Sequence, residues 1–377
     1  MKDLERISNP YNEDKVISSC SIFGMMDVTG KPFSGEQVFR AMDNMDERGN
    51  GLGAGFAIYG IYPDRADLYA FHVMFTSEAG RSATESFLAA EFAVEQSEEI
   101  PTRRTSDIDS QPLVWRYFLR PPAEARETEQ DYVAARVLRT NSEIEDSFVF
   151  SSGANMGVFK GVGFPHQIAS FYRLEQYRGH IWTAHSRFPT NSQAWWGGAH
   201  PFGLLDWTVV HNGEISSYGA NRAYLESLGY RCTLFTDTEV MAYAVDLLMR
   251  RQSLPPEVFA KVVAPPLWSE IDRMDRDQRE LHTALRSVYG GLLMNGPFAV
   301  VIASPTQMMA LTDRIRLRPL TAATRGDVLY FSSEEAAIRL VSPELDEVWT
   351  PMGGVPVIGG LGELPVPQQS RRRAEVA

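Results

Sequence analysis

Cys20 opens the apolar run Cys20-Ser21-Ile22-Phe23-Gly24-Met25-Met26-Asp27 and is one of only two cysteines, the other being Cys232. A thiol with a pKa of about 8.5 is mostly protonated at neutral pH and needs a base to become a nucleophile. An α-amine, with a pKa of about 7.7–8.0, is such a base. Cleavage of the Ser19–Cys20 bond would place that amine on the same residue as the thiol, and no separate histidine would be required. Taken alone, Cys20 also reads as a buried structural cysteine. Cys232, among Tyr230, Leu234 and Phe235, reads that way.

The surrounding pattern supplies elements to position such a group. Residues 20–26 read as a strand, followed by a turn at Gly30-Lys31-Pro32. Ser34-Gly35-Glu36-Gln37 has capping-box spacing ahead of Val38, Phe39, Met42 and Met45 at helical intervals. A glycine-dense loop, 48–55, leads into a buried strand over 56–62. Further on, His185-Ser186-Arg187-Phe188-Pro189-Thr190-Asn191 follows a strand at 181–184, and Ala199-His200-Pro201-Phe202 leads towards a second at 207–210. That strand ends in His211-Asn212-Gly213-Glu214-Ile215. Thr236-Asp237-Thr238-Glu239 has capping-box spacing again and opens a helix with Val240, Met241, Ala244, Leu247 and Leu248 on one face. Each motif has a plain reading as well. Asn212-Gly213 suits a hairpin turn, Asp237 suits the first turn of a helix, and Arg187 suits a surface.

In this order and spacing the motifs resemble those of class II glutamine amidotransferases, a family of N-terminal-nucleophile hydrolases whose mature first residue is cysteine. The resemblance extends to Arg48-Gly49, and Asp313-Arg314-Ile315-Arg316-Leu317-Arg318-Pro319-Leu320 with Ser332-Ser333-Glu334 looks like the glutamate synthase branch. The family usually carries glycine after the cysteine, where this chain has Ser21. The resemblance implies an α+β fold, a four-layer αββα sandwich of two antiparallel sheets covered by helices. It implies residues 1–19 as a propeptide, 20–361 as the amidotransferase domain, and Cys20 as the nucleophile. Asn212 and the Gly213 N–H would form the oxyanion hole. Glutamine is a zwitterion, so Arg187 would take its α-carboxylate as a bidentate fork and Asp237 its α-ammonium. Thr190 would line the same pocket.

Residues 66–155 lie outside the resemblance and read as an inserted small α+β subdomain: strands at 68–75, 113–119 and 147–150, helices at 83–94 and 132–138, and an acidic, solvated stretch at Glu124, Glu127, Glu129 and Asp131. A charged helical region at 267–288 and strands at 298–302, 308–312 and 328–332 follow, and a Pro/Gln/Arg-rich tail, 362–377, reads as disordered.

With 377 residues, 44 % hydrophobic and 22 % charged, the composition is that of a globular protein. The net charge of −12 argues against nucleic acid as a partner. No apolar run reaches the length of a membrane span, and residues 1–19 lack the apolar core of a secretory signal, which points to the cytoplasm. The seven histidines form no metal-ligand spacing, so no metal is expected. Gly49-x-Gly51-x-x-Ala54 is out of context for a dinucleotide site, because it follows a helix and precedes a strand. The implied reaction is hydrolysis of L-glutamine to glutamate and ammonia through a γ-glutamyl thioester. Free ammonia calls for an acceptor, expected on a separate glutamate synthase-like subunit that carries FMN and iron–sulfur centres. This chain itself is expected to hold no cofactor. Other acceptors, N-methylglutamate, an amino sugar or a purine precursor, are the alternative, as is an unprocessed, non-catalytic glutamine-binding subunit.

Overall fold

The computed structural model describes residues 20–105, 108, 111–123, 128–188 and 194–367. The expected propeptide 1–19, Thr190, Glu124, Glu127 and the tail beyond 367 lie outside the described residues.

Two antiparallel sheets dominate. The larger has seven strands in the order Glu347–Trp349, Thr321–Arg325, Val328–Ser332, Ser21–Asp27, Ile181–Ser186, Ala54–Tyr59 and Met156–Gly161. The second has five: Phe202–Leu204, Trp207–Gly213, Phe298–Ser304, Gln307–Thr312 and Val357–Gly360. Strand periodicity explains how they stack. Along the five-stranded sheet, Val210, Ala299, Val301, Ala303, Met308 and Ala310 share a core with the larger sheet. The alternating residues Val209, Phe298, Val300, Ile302, Met309 and Leu311 turn the other way, into a core with the helices Asp237–Val245 and Pro256–Val263. On the far side of the larger sheet lie Glu36–Asp43, Pro165–Phe171 and Glu335–Val341, buried through Val38, Ile168 and Ile338. The result is the four-layer αββα sandwich.

A polar clasp joins the sheets. The Tyr59 hydroxyl, fully buried, lies 2.7 Å from Thr208 Oγ1 and donates to the Ala303 carbonyl at 2.8 Å. Removing that hydroxyl would leave buried acceptors without a donor, at a cost of about 1–3 kcal/mol.

Residues between 66 and 155 build a separate four-stranded antiparallel sheet, Ala93–Glu99, Leu113–Arg120, Tyr69–Phe75 and Ser147–Ser151. The helices Glu78–Glu91 and Glu129–Glu143 cover one face, where Leu88, Val133 and Val137 meet Phe71, Val73 and Phe75. Within the tail, Gly362 N–H donates to the Val28 carbonyl at 2.6 Å.

Several local expectations change. The helix expected over 83–94 runs Glu78–Glu91, started by Ser77, whose Oγ accepts the Gly80 N–H at 3.1 Å. Ala93–Glu99 is then an edge strand, exposed and acidic, with no apolar alternation to announce it. Ser34 does not cap the first helix: it pairs with Arg178 in a short strand, and the N-cap is Gly35, which has no side chain to offer. Thr236 accepts the Thr238 N–H, but Glu239 does not close a capping box. Its carboxylate accepts instead from Thr233 and Leu234 N–H. The helix it opens is buried on every side from Thr238 to Val245, not on one face.

Candidate active site

Antiparallel pairing delivers the site. The N-terminal end of Ser21–Asp27 meets the C-terminal ends of both neighbours: Ser21 pairs with Ser186, and Phe23 with Ser332. Cys20, Arg187–Phe188 and Ser333–Glu334 therefore emerge side by side. The Phe188 N–H donates to Cys20 Sγ at 3.2 Å, and the thiol lies 3.7 Å from the Phe188 carbonyl. Arg48 Nε donates to the Cys20 carbonyl at 3.3 Å while its Nη1 pairs with Glu334 Oε1 at 2.7 Å. The cysteine is thus fixed from both sides.

The second sheet contributes from across the sandwich. Asn212–Gly213 does not form a two-residue hairpin turn; it ends the strand Trp207–Gly213. Asn212 is fully buried, and its Nδ2 donates to Ser333 Oγ at 3.0 Å. The same Oγ accepts the Ile22 N–H at 3.1 Å. Gly213 has φ +143°, and a Cβ there would sit 2.0 Å from the Pro297 carbonyl oxygen, so glycine is required. Asp237, first residue of its helix, accepts the Ile215 N–H at 2.9 Å through Oδ2.

Electrostatics tie these groups together. Burial pushes the Cys20 thiol above its ordinary value; the Phe188 N–H, Arg187 and Arg318 pull it down, and Asp237 pushes it up. The thiol therefore rests protonated and needs a base. Arg187 is buried, its pKa lowered by burial and supported by Cys20 and Asp237. Burial would raise the Asp237 carboxyl, yet His211, the Ile215 N–H and Thr238 bring it down to about 2. His211 Nδ1 is 3.7 Å from Asp237 Oδ1, outside hydrogen-bond reach, so we attribute this effect to charge rather than to a direct bond. Asp237 stays anionic at every physiological pH, suited to an ammonium group.

Cys20, Arg187 and Asp237 thus share one field, and Asn212 reaches the nucleophile strand through Ser333. Thr190 has no described position. Ser333, Glu334, Arg48 and Arg318 carry no assigned role in the sequence; the links of the first three to the Cys20 strand, and the charge of Arg318 on the thiol, appear only when the sheet closes. Behind them the rings of His185 and His200 stack at 3.9 Å, and both His200 and His211 reach Thr238 Oγ1, at 3.2 and 3.1 Å. Burial keeps His185 and His200 neutral. Trp195-Trp196-Gly197-Gly198 is a packed aromatic loop, with Trp195 against Phe148 and Trp196 against Phe171. Among the described residues one His/carboxylate group, Asp43, Asp46 and His166, brings its ligand atoms within 4.8 Å, near the surface and with none of the residues around Cys20.

Residues 93–348 match the family model of class-II glutamine amidotransferases, a span that contains Arg187, Asn212, Gly213 and Asp237. The chain belongs to the class II glutamine amidotransferases. It is 56 % identical over 354 residues to an uncharacterized protein of Archaeoglobus fulgidus, covering 92 % of this chain and 94 % of that one. It is 27 % identical over 219 residues to the large chain of NADPH glutamate synthase from Bacillus subtilis, 52 % of this chain but 14 % of the relative. The solved structure of glutamine phosphoribosylpyrophosphate amidotransferase from B. subtilis is 15 % identical with a TM-score of 0.47, covering 91 % of this chain and 48 % of that one. No helix among the described residues is long and apolar enough to cross a membrane.

Proposed function

We propose that the chain is a glutaminase subunit that hydrolyses L-glutamine through a γ-glutamyl thioester on Cys20, after removal of residues 1–19. The α-amine of Cys20 takes the thiol proton as sulfur attacks the side-chain amide carbon. The oxyanion is held by Asn212 Nδ2, which has a second hydrogen beyond the one given to Ser333, and by the Gly213 N–H. Collapse breaks the C–N bond, and ammonia leaves with the proton held by the amine. Water, deprotonated by the amine, then attacks the thioester and releases glutamate, and the sulfur recovers its proton. Arg187 and Asp237 hold the two charges of the substrate backbone.

The single observation that carries this reading is the meeting, at the open end of the central strand, of Cys20 with Arg187–Phe188, where the Phe188 N–H lies 3.2 Å from Cys20 Sγ, and with Asn212 held there through Ser333. The ammonia passes to a separate glutamate synthase-like subunit in the cytoplasm, and FMN and iron–sulfur centres belong to that partner; the likeness to the glutamate synthase large chain supports this. The test is intact mass together with glutaminase assay. Active protein beginning at Cys20, and co-purification with a flavin- and iron–sulfur-containing chain, is the expected result. Full activity in a chain that still begins at Met1 would remove the terminal-amine mechanism. A partner of another kind would move the acceptor elsewhere.

A further inference from the structure

Lys160 is a buried lysine that the mechanism above does not use. It sits on the strand Met156–Gly161 with 3 % of its surface exposed. Its Nζ donates to the Gly197 carbonyl at 3.0 Å and lies 4.1 Å from the centroid of the Phe202 ring. Glu239, only 1 % exposed, is its electrostatic counterpart, and a cavity of about 10 Å³ is lined by both, with Asn141, Phe150 and Tyr243. Burial brings Lys160 down to about 7 and Glu239 up to about 7, the two supporting each other's charge. Burying a lysine and a glutamate costs desolvation that apolar side chains would not, so stability alone does not account for these two residues.

The loop that Lys160 holds leads directly to the substrate site. Gly197 belongs to the turn Trp196–Gly198, closed by the Gly198 N–H to the Trp195 carbonyl at 3.1 Å. A Cβ added at Gly198 would lie 3.2 Å from Arg187 Nη1, so the loop backbone lies directly against the guanidinium. The Arg187 backbone N–H is tied to the Gly53 carbonyl at 2.8 Å. Both backbone segments lie against Arg187, and Lys160 anchors one of them alongside the packed Trp195 and Trp196 rings.

We propose that Lys160 is a positioning residue for glutamine binding: through the Gly197 carbonyl it fixes the Trp195–Gly198 loop as the wall that holds the Arg187 guanidinium in place. This rests on the reading of Arg187 as the carboxylate clamp. A loosened wall spreads Arg187 over several rotamers, and the bidentate geometry suffers before the chemistry at Cys20 does.

The test uses the processed full chain. Lys160→Met should raise the Kd for L-glutamate, which carries the same α-carboxylate and is not turned over, measured by calorimetry, and the KM for glutamine, at least tenfold, with kcat within threefold of wild type. Tryptophan emission should shift to the red, and the shift should shrink when Trp195→Phe is added. A Kd within twofold of wild type in folded Lys160→Met would overturn the proposal. Should Lys160→Met fail to fold because Glu239 is stranded, Lys160→Met with Glu239→Gln removes that charge and carries the same expectation. Failure of the double variant to fold would make the lysine structural and also overturn it. Because Kd is read with a ligand that is not turned over, a wild-type chain that binds L-glutamate but does not hydrolyse glutamine would refute the glutaminase reading while leaving this inference open to the same measurement.

Discussion

Asn212 Nδ2 and Ser333 Oγ lie 3.0 Å apart in the interior, and the same hydroxyl accepts the Ile22 N–H at 3.1 Å. Ser333 is therefore a brace between the two sheets: it fixes an amide of the five-stranded sheet to the strand that starts at Cys20. Asn212→Ala should lower kcat by about 10²–10³ with KM little changed, because the role proposed for this donor is at the oxyanion rather than at bound glutamine. Ser333→Ala should lower kcat less. In the double variant the two losses should fall short of their product, since both act through one hydrogen bond. A steady-state double-mutant cycle measures this, and fully multiplicative losses would separate the two residues.

The parts of this arrangement that were legible in sequence are those set by local pattern. Cys20 at the mouth of an apolar run, Arg187 just beyond a strand and Asp237 at a helix start all stand where the periodicity placed the elements. The brace was not legible, because Ser333 and Asn212 are 121 residues apart and meet only through sheet stacking. Lys160 was hidden for a related reason: it is a lone charge just after the apolar run Met156–Phe159, and only the closed fold buries it under Gly197. The edge strand Ala93–Glu99 escaped because an exposed acidic strand has no apolar alternation to read, and pairing with Leu113–Arg120 overrides its weak propensity.

Arg187→Lys should raise KM for glutamine by tenfold or more while kcat changes much less. A compact ammonium keeps the charge but loses the planar two-pronged geometry that matches a carboxylate. Initial-rate kinetics decide the point. An unchanged KM would assign the α-carboxylate to another cation, for which Arg318, within electrostatic reach of the thiol, is the first candidate.

The pH profile should be one-sided near neutrality. The base proposed here is an α-amine with a pKa of about 7.7–8.0, inactive when protonated, so kcat/KM should fall about tenfold per unit as pH drops below about 7. Asp237, held at about 2, should add no second inflection between pH 4 and 7. Rates measured from pH 5 to 9 test both statements. An inflection near pH 4–5 would mean that a carboxylate with an ordinary or raised pKa governs binding.

Asp237→Asn separates substrate recognition from stability. Loss of the carboxylate should raise KM by at least tenfold if Asp237 is, as proposed, the counter-charge of the glutamine α-ammonium. The stability effect has a definite sign. The carboxyl is depressed to about 2 in the folded chain against about 3.9 unfolded, so its contribution is complete above about pH 4 and is lost as pH falls towards 2. That contribution is on the order of 2 kcal/mol. Denaturant unfolding of wild type and variant should therefore differ most above pH 4, and the difference should shrink by about that amount by pH 2. A gap that stayed constant across this range would show that Asp237 supports the fold through its hydrogen bond to Ile215 N–H and not through its charge.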